Sequence, residues 1–150
     1  MTDYSLLCAQ LTALTEGVSF GISNLANASA LIYNTLEDLN WAGFYLIHEG
    51  ELVLGPFQGK PACTKISVGK GVCGTAVARN ETVVVDDVHR FPGHIACDSA
   101  SNSEIVIPLR RKGAVLGVLD LDSPSFGRFT EADRIGLERF VSILENLPCF

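Results

Sequence analysis

The stretch EIVIPLRRKGAVLGVLDLD, residues 104–122, decides the fold. Two alternating runs flank Arg111, Lys112 and Gly113, a three-residue loop suited to a type I turn closed by glycine in the left-handed region. The stretch therefore predicts an antiparallel hairpin in which residues whose numbers sum to 224 face one another. Ile105 then opposes Leu119, Ile107 opposes Gly117 and Leu109 opposes Val115, giving one apolar face. The other face pairs Val106 with Val118 and Glu104 with Asp120, and Asp122 follows two residues on. A two-residue turn would shift the pairing by one and scramble the apolar face.

Carboxylates set opposite each other destabilise a sheet unless a cation or a proton lies between them. Held close, they raise at least one pKa and keep a proton ready for acid chemistry. The alternative is a solvated face from which the charges diverge into water. The pattern alone leaves both readings open.

Outward from the hairpin, apolar spacing predicts helices over residues 3–15 and 23–39 and from Thr130 onward, the last with Asp133 placed for a capping box. Residues 41–48 and 51–57 alternate around Gly50 and read as a second hairpin. Short strands are expected at 64–68 and 82–85, and a short helix at 72–79. Residues 86–102 have no period and form a long loop, a kind of segment that is often functional. The order predicts an α+β chain: a mainly antiparallel sheet of about six strands flanked by helices. At 150 residues, 47% of them hydrophobic, a single domain with a packed core is expected.

The net charge of -6 and the scattered Lys and Arg argue against a nucleic-acid partner. The first residues lack the basic and apolar regions of a secretory signal, and no stretch is long enough to span a membrane. A cytosolic chain is expected, where thiols stay reduced and disulfides are transient.

Five cysteines then need a reason other than structural bridging. Cys8, within a helix, and Cys149, beside the terminus, are expected to take no part in chemistry. Cys63 opens a short strand, and Cys97 sits in a loop too polar for ordinary core packing. Cys73 lies where a glycine-rich turn meets a helix, a position expected to lower a thiol pKa. The intervals between these cysteines match no paired zinc-ligand spacing, so no metal is expected. GKGVCG, residues 69–74, fits the dinucleotide pattern G-x-G-x-x-G in form only. It leads through a short helix to a strand with no acid at the ribose distance, so its glycines read as turn chemistry.

Six segments together carry a resemblance: NWAGFY (40–45), GPFQGKPAC (55–63), GKGVCG (69–74), HIACD (94–98), SNSEIV (101–106) and GVLDLDS (117–123). Across essentially the whole chain they resemble the free methionine-(R)-sulfoxide reductases, a catalytic branch of GAF domains. The resemblance implies that Cys97 attacks sulfur, that Cys63 resolves the product as a disulfide, and that Cys73 is an auxiliary thiol. It implies a substrate pocket of Trp41, Tyr45, Glu104, Asp120 and Asp122, with Asp122 or Glu104 as the acid. It also implies no bound cofactor, an external dithiol such as thioredoxin as reductant, and a homodimer. The residues add that Trp41 and Tyr45, four apart on a strand, share a face and could hold a methylthio group. A non-catalytic GAF sensor using the same pocket is the alternative, as is a thiol redox switch. The sensor gives no reason for Cys63 and Cys97 together.

Overall fold

The computed structural model describes residues 1–95 and 97–149, so Ala96 of the HIACD segment and Phe150 lie outside it. The chain runs α1 (Tyr4–Thr15), α2 (Gly21–Thr35), β1 (Trp41–His48), β2 (Glu51–Gly59), β3 (Lys65–Ile66), α3 (Gly71–Arg79), β4 (Val83–Val85), β5 (Ser103–Arg111), β6 (Ala114–Ser123) and α4 (Glu131–Glu145), with a 3-10 turn at Val88–Arg90. The strands form one sheet in the order β3-β2-β1-β6-β5-β4, every pair antiparallel. This is the α+β architecture that the alternation predicts.

The two faces of the sheet have separate cores. On one, α1, α2 and α4 pack over Phe44, Ile105, Ile107, Leu109, Leu119 and Leu121. On the other, α3 packs over Val106 and Val118, with Trp41 and Tyr45 beside them. Helix α4 starts where its cap dictates: Thr130 Oγ1 accepts from the Asp133 amide while Asp133 accepts from the Thr130 amide. Helix α2 ends four residues earlier than its apolar spacing suggests. Leu36 still reaches the core, but from extended backbone, and Asp38 turns the chain at φ 61°. The spacing had continued past the helix because burial continued.

The β5–β6 hairpin corrects the expected register. The loop is two residues, Lys112 and Gly113, with φ of 51° and 80°, as a type I′ turn requires. Such a turn pairs Arg111 with Ala114 and Arg110 with Val115, which continued unchanged would bury the wrong face. A bulge at Leu116 takes up one residue, and from Leu109 with Gly117 onward the apolar residues oppose one another again. Ile105 therefore faces Leu121, Val106 faces Asp120, and Glu104 faces Asp122 rather than Asp120. The predicted register was two residues away. A shift of two preserves every side chain's face, so hydrophobic alternation could not tell the two registers apart.

Candidate active site

The three acids stand on the face opposite the large helical core. Pairing across three strands places Glu104, Asp122 and Trp41 in one row, with Val106, Asp120 and Gly43 in the next. Trp41 and Tyr45 stack with centroids 5.8 Å apart, and Phe57 stacks behind Trp41 at 5.2 Å. Gly43 allows this wall, because a Cβ there would fall 2.3 Å from Cβ of Phe57. The polar ends of the two rings hold the segment after β2. Trp41 Nε1 donates to the Lys60 carbonyl at 3.1 Å, and Tyr45 Oη donates to the Cys63 carbonyl at 2.9 Å.

The loop over residues 86–102 closes the pocket from above. Its end is fastened by Asn40, whose Nδ2 donates to Asp98 Oδ2 and to Ser101 Oγ, both at 3.0 Å. Asp98 also accepts from the Ala100 amide, which with Asn40 holds its carboxyl below the ordinary aspartate value. So tethered, the loop brings Cys97 against Cys63, and the two form a disulfide with Cα atoms 5.5 Å apart. That separation lies within ordinary disulfide geometry. Cys97, Asp98, Ser101, His94, Cys73, Trp41, Tyr45 and the three acids all line one cavity of about 40 Å³.

The solvated reading of the acidic face does not hold. Glu104 is 7% exposed and Asp120 6%, and Asp122 is half-buried. Burial pushes all three pKa values up, and the Asp120 charge raises Glu104 and Asp122 further. Glu104 therefore keeps its proton to higher pH than an exposed glutamate does. Asp120 Oδ1 and Asp122 Oδ1 are buried with no hydrogen-bond partner among the described residues, and no Lys or Arg lines the cavity. Such orphaned acceptors require an explanation, and a cationic or proton-donating ligand supplies one.

Cys73 reverses its expectation. It sits in the first turn of α3, yet it is buried, and its pKa rises well above the ordinary value through burial and the charges of Asp120, Glu104 and Asp122. The helix end contributes at most about 2 kcal/mol, too little against desolvation beside carboxylates. The thiol donates to Glu104 Oε1 at 4.0 Å. Gly69 and Gly71 before it have φ of 87° and 60° and are turn residues, as read from the sequence, whereas Gly74 lies within α3, where a Cβ would meet the Ser67 carbonyl at 2.4 Å. Cys8, Cys73 and Cys149 are free, the first and last remote from the cavity lining.

A GAF-domain family model matches residues 23–146. The free methionine-R-sulfoxide reductase of Escherichia coli K12 is 57% identical over 144 residues, covering 96% of this chain and 87% of the relative. The chain belongs to the GAF family, in the branch of the free methionine-R-sulfoxide reductases. Among solved structures, fRMsr of Staphylococcus aureus in its reduced form superposes with a TM-score of 0.94 at 51% identity, covering 97% of this chain and 94% of that one. The same enzyme in complex with its substrate gives 0.93 at 50%, covering 97% and 95%.

For a member of this branch, the fold gathers every residue expected at the site: Cys63, Cys97, Cys73, Trp41, Tyr45, Glu104, Asp120 and Asp122. Sequence reading missed His94, Asn40 and Ser101. His94 Nε2 lies 3.9 Å from Glu104 Oε2, and its pKa is lowered by burial and by His89. No spacing links a loop histidine or a residue before β1 to the acids of a hairpin; only the closed loop does. Among the described residues, Cys73, Glu104 and Asp120 are the one group whose ligand atoms lie within 4.8 Å of one another.

Proposed function

We propose that this chain is an oxidoreductase that reduces free L-methionine (R)-sulfoxide to methionine. The observation that carries the reading is the Cys63–Cys97 disulfide lying over a cavity floored by buried acids. In the reduced protein the Cys97 thiolate attacks the sulfoxide sulfur. A neutral carboxylic acid, Glu104 or Asp122, gives its proton to the sulfoxide oxygen. The substrate sulfur gains two electrons and leaves as the thioether, while Cys97 loses two and retains the oxygen as a sulfenic acid. The Cys63 thiol then attacks that sulfur, releasing water and forming the disulfide. An external dithiol, thioredoxin by this reading, returns both thiols by exchange, so no bound cofactor is required.

Asp120 and an ionised neighbour hold the α-ammonium, a charge that peptide-bound methionine lacks, and this supplies the specificity for the free amino acid. The stacked rings of Trp41 and Tyr45 receive the methylthio group. The disulfide ties the segment that carries Cys97 down beside the cavity lined by the acids. Residues 86–102 therefore open for substrate once the disulfide is reduced and close again to exclude water. The protein works as a cytosolic homodimer, for which the exposed Leu14, Phe20 and Ile22 about the α1–α2 turn offer an apolar surface.

Single-turnover assays with free and peptide-bound sulfoxide epimers test the proposal. The reduced protein should convert only the free R epimer. Cys97→Ser should form no methionine, whereas Cys63→Ser should complete the first turnover and then recycle at least tenfold more slowly. Full first-turnover activity in Cys97→Ser would remove the nucleophile and the proposal with it.

A further inference from the structure

We propose that the cavity floor is a binding site for a soft or borderline divalent cation such as Zn²⁺ or Cd²⁺, ligated by the Cys73 thiolate, Glu104 and Asp120. The three come from different elements, Cys73 from α3, Glu104 from β5 and Asp120 from β6, and all are buried. Their ligand atoms lie within 4.8 Å of one another, and Cys73 Sγ is 4.0 Å from Glu104 Oε1. A tetrahedral zinc site with one sulfur and two oxygen ligands has edges of about 3.3–3.8 Å, so the group need draw in by only about an ångström.

A second observation points to a positive ligand independently of that spacing. Asp120 is 6% exposed, and its Oδ1 has no partner among the described residues. An ammonium group would satisfy that oxygen too, but it gains little from a thiol. The thiol is what selects a soft cation over a hard one. Binding displaces the thiol proton and any carboxylic proton to solvent, so affinity rises with pH. His94 Nε2 stands 3.9 Å from Glu104 Oε2 and lines the same cavity, so it is the candidate fourth ligand. Coordination by His94 would fasten the loop to the floor. The cation would thereby exclude any amino acid from the pocket.

The inference does not depend on the reductase reading, because it can be tested without substrate in the oxidised protein, where Cys63 and Cys97 are already bonded to each other. Cd²⁺ is titrated into that form while the ultraviolet thiolate-to-cadmium charge-transfer band is followed. One equivalent should produce the band. It should vanish in Cys73→Ser and persist in Cys8→Ser and Cys149→Ser. Glu104→Gln and His94→Ala should each weaken binding at least tenfold, and excess Mg²⁺ should not compete. Circular dichroism establishes that each variant is folded, and Cys73→Ala serves in place of an unfolded Cys73→Ser. No band in the folded oxidised protein, a band that survives loss of Cys73, or displacement by Mg²⁺ at equal concentration would each overturn the proposal.

Discussion

Glu104 is one of the two acids that the proposed reaction can use. Buried beside Asp120 and Asp122, it has a pKa well above that of an exposed glutamate. A raised carboxyl pKa means that the folded state prefers the proton. The associated stability is whole below the unfolded value of about 4.3 and is lost as pH rises through the folded value. Glu104→Gln should therefore raise the melting temperature of the ligand-free reduced protein by several degrees at pH 8. The gain should shrink to nothing near pH 4, as thermal melts at the two pH values would report. An equal gain at both would mean that the carboxyl carries no shifted proton. The residues of this cluster were legible in the sequence because alternation assigns side chains to a face. Their burial was not, because alternation is silent about what covers that face. The misjudged Cys73 has the same cause: its place on a helix end is local, while the carboxylates that raise its pKa arrive from strands about 30 and 50 residues away.

Among the elements, those whose ends carry their own chemistry were read correctly, and those fixed by distant contacts were not. Helix α4 starts at its capping box and β1 spans the residues expected, whereas α2 and the β5–β6 register depended on tertiary packing. The α4 cap also shows how a local signal can acquire a longer reach. Asp133 accepts from the Thr130 amide, from Tyr4 Oη of α1 at 2.6 Å and from Arg128 Nη1 at 3.1 Å. Burial pushes its pKa up, but the bonds from Thr130 and Tyr4 and the Arg128 charge outweigh that and hold it below the ordinary value. Removing Thr130 takes away one cap acceptor, and removing Asp133 leaves Tyr4, Arg128 and an amide without theirs. Thr130→Ala should therefore cost about 1 kcal/mol, and Asp133→Ala about 3 kcal/mol or more. Urea denaturation distinguishes these, and equal losses would show that Asp133 acts only as a cap.

At the scale of the whole molecule, the sheet separates a helical core from a site side that carries the disulfide. The Cys63–Cys97 bond joins residues 34 apart, and nearly everything it encloses lies on the site side. Closing a loop of that length restricts the unfolded chain by about 4 kcal/mol in the chain-entropy account. The oxidised protein should then resist guanidinium more than the reduced one by up to about 4 kcal/mol. Its denaturant dependence should also be shallower, because the cross-linked unfolded chain is more compact. The loss on reduction should be uneven. Leu7, Leu11, Ile32, Leu137 and Phe140 form their core without either cysteine, so amides in α1, α2 and α4 should keep their protection at a level set by global unfolding. Amides from His94 to Asn102, held by Asn40 and the disulfide, should exchange at least tenfold faster once the bond is broken. Hydrogen exchange on the two redox forms measures both. Exchange in residues 94–102 that is indifferent to reduction would mean that Asn40 alone fixes the loop, and that the disulfide does not control entry to the pocket.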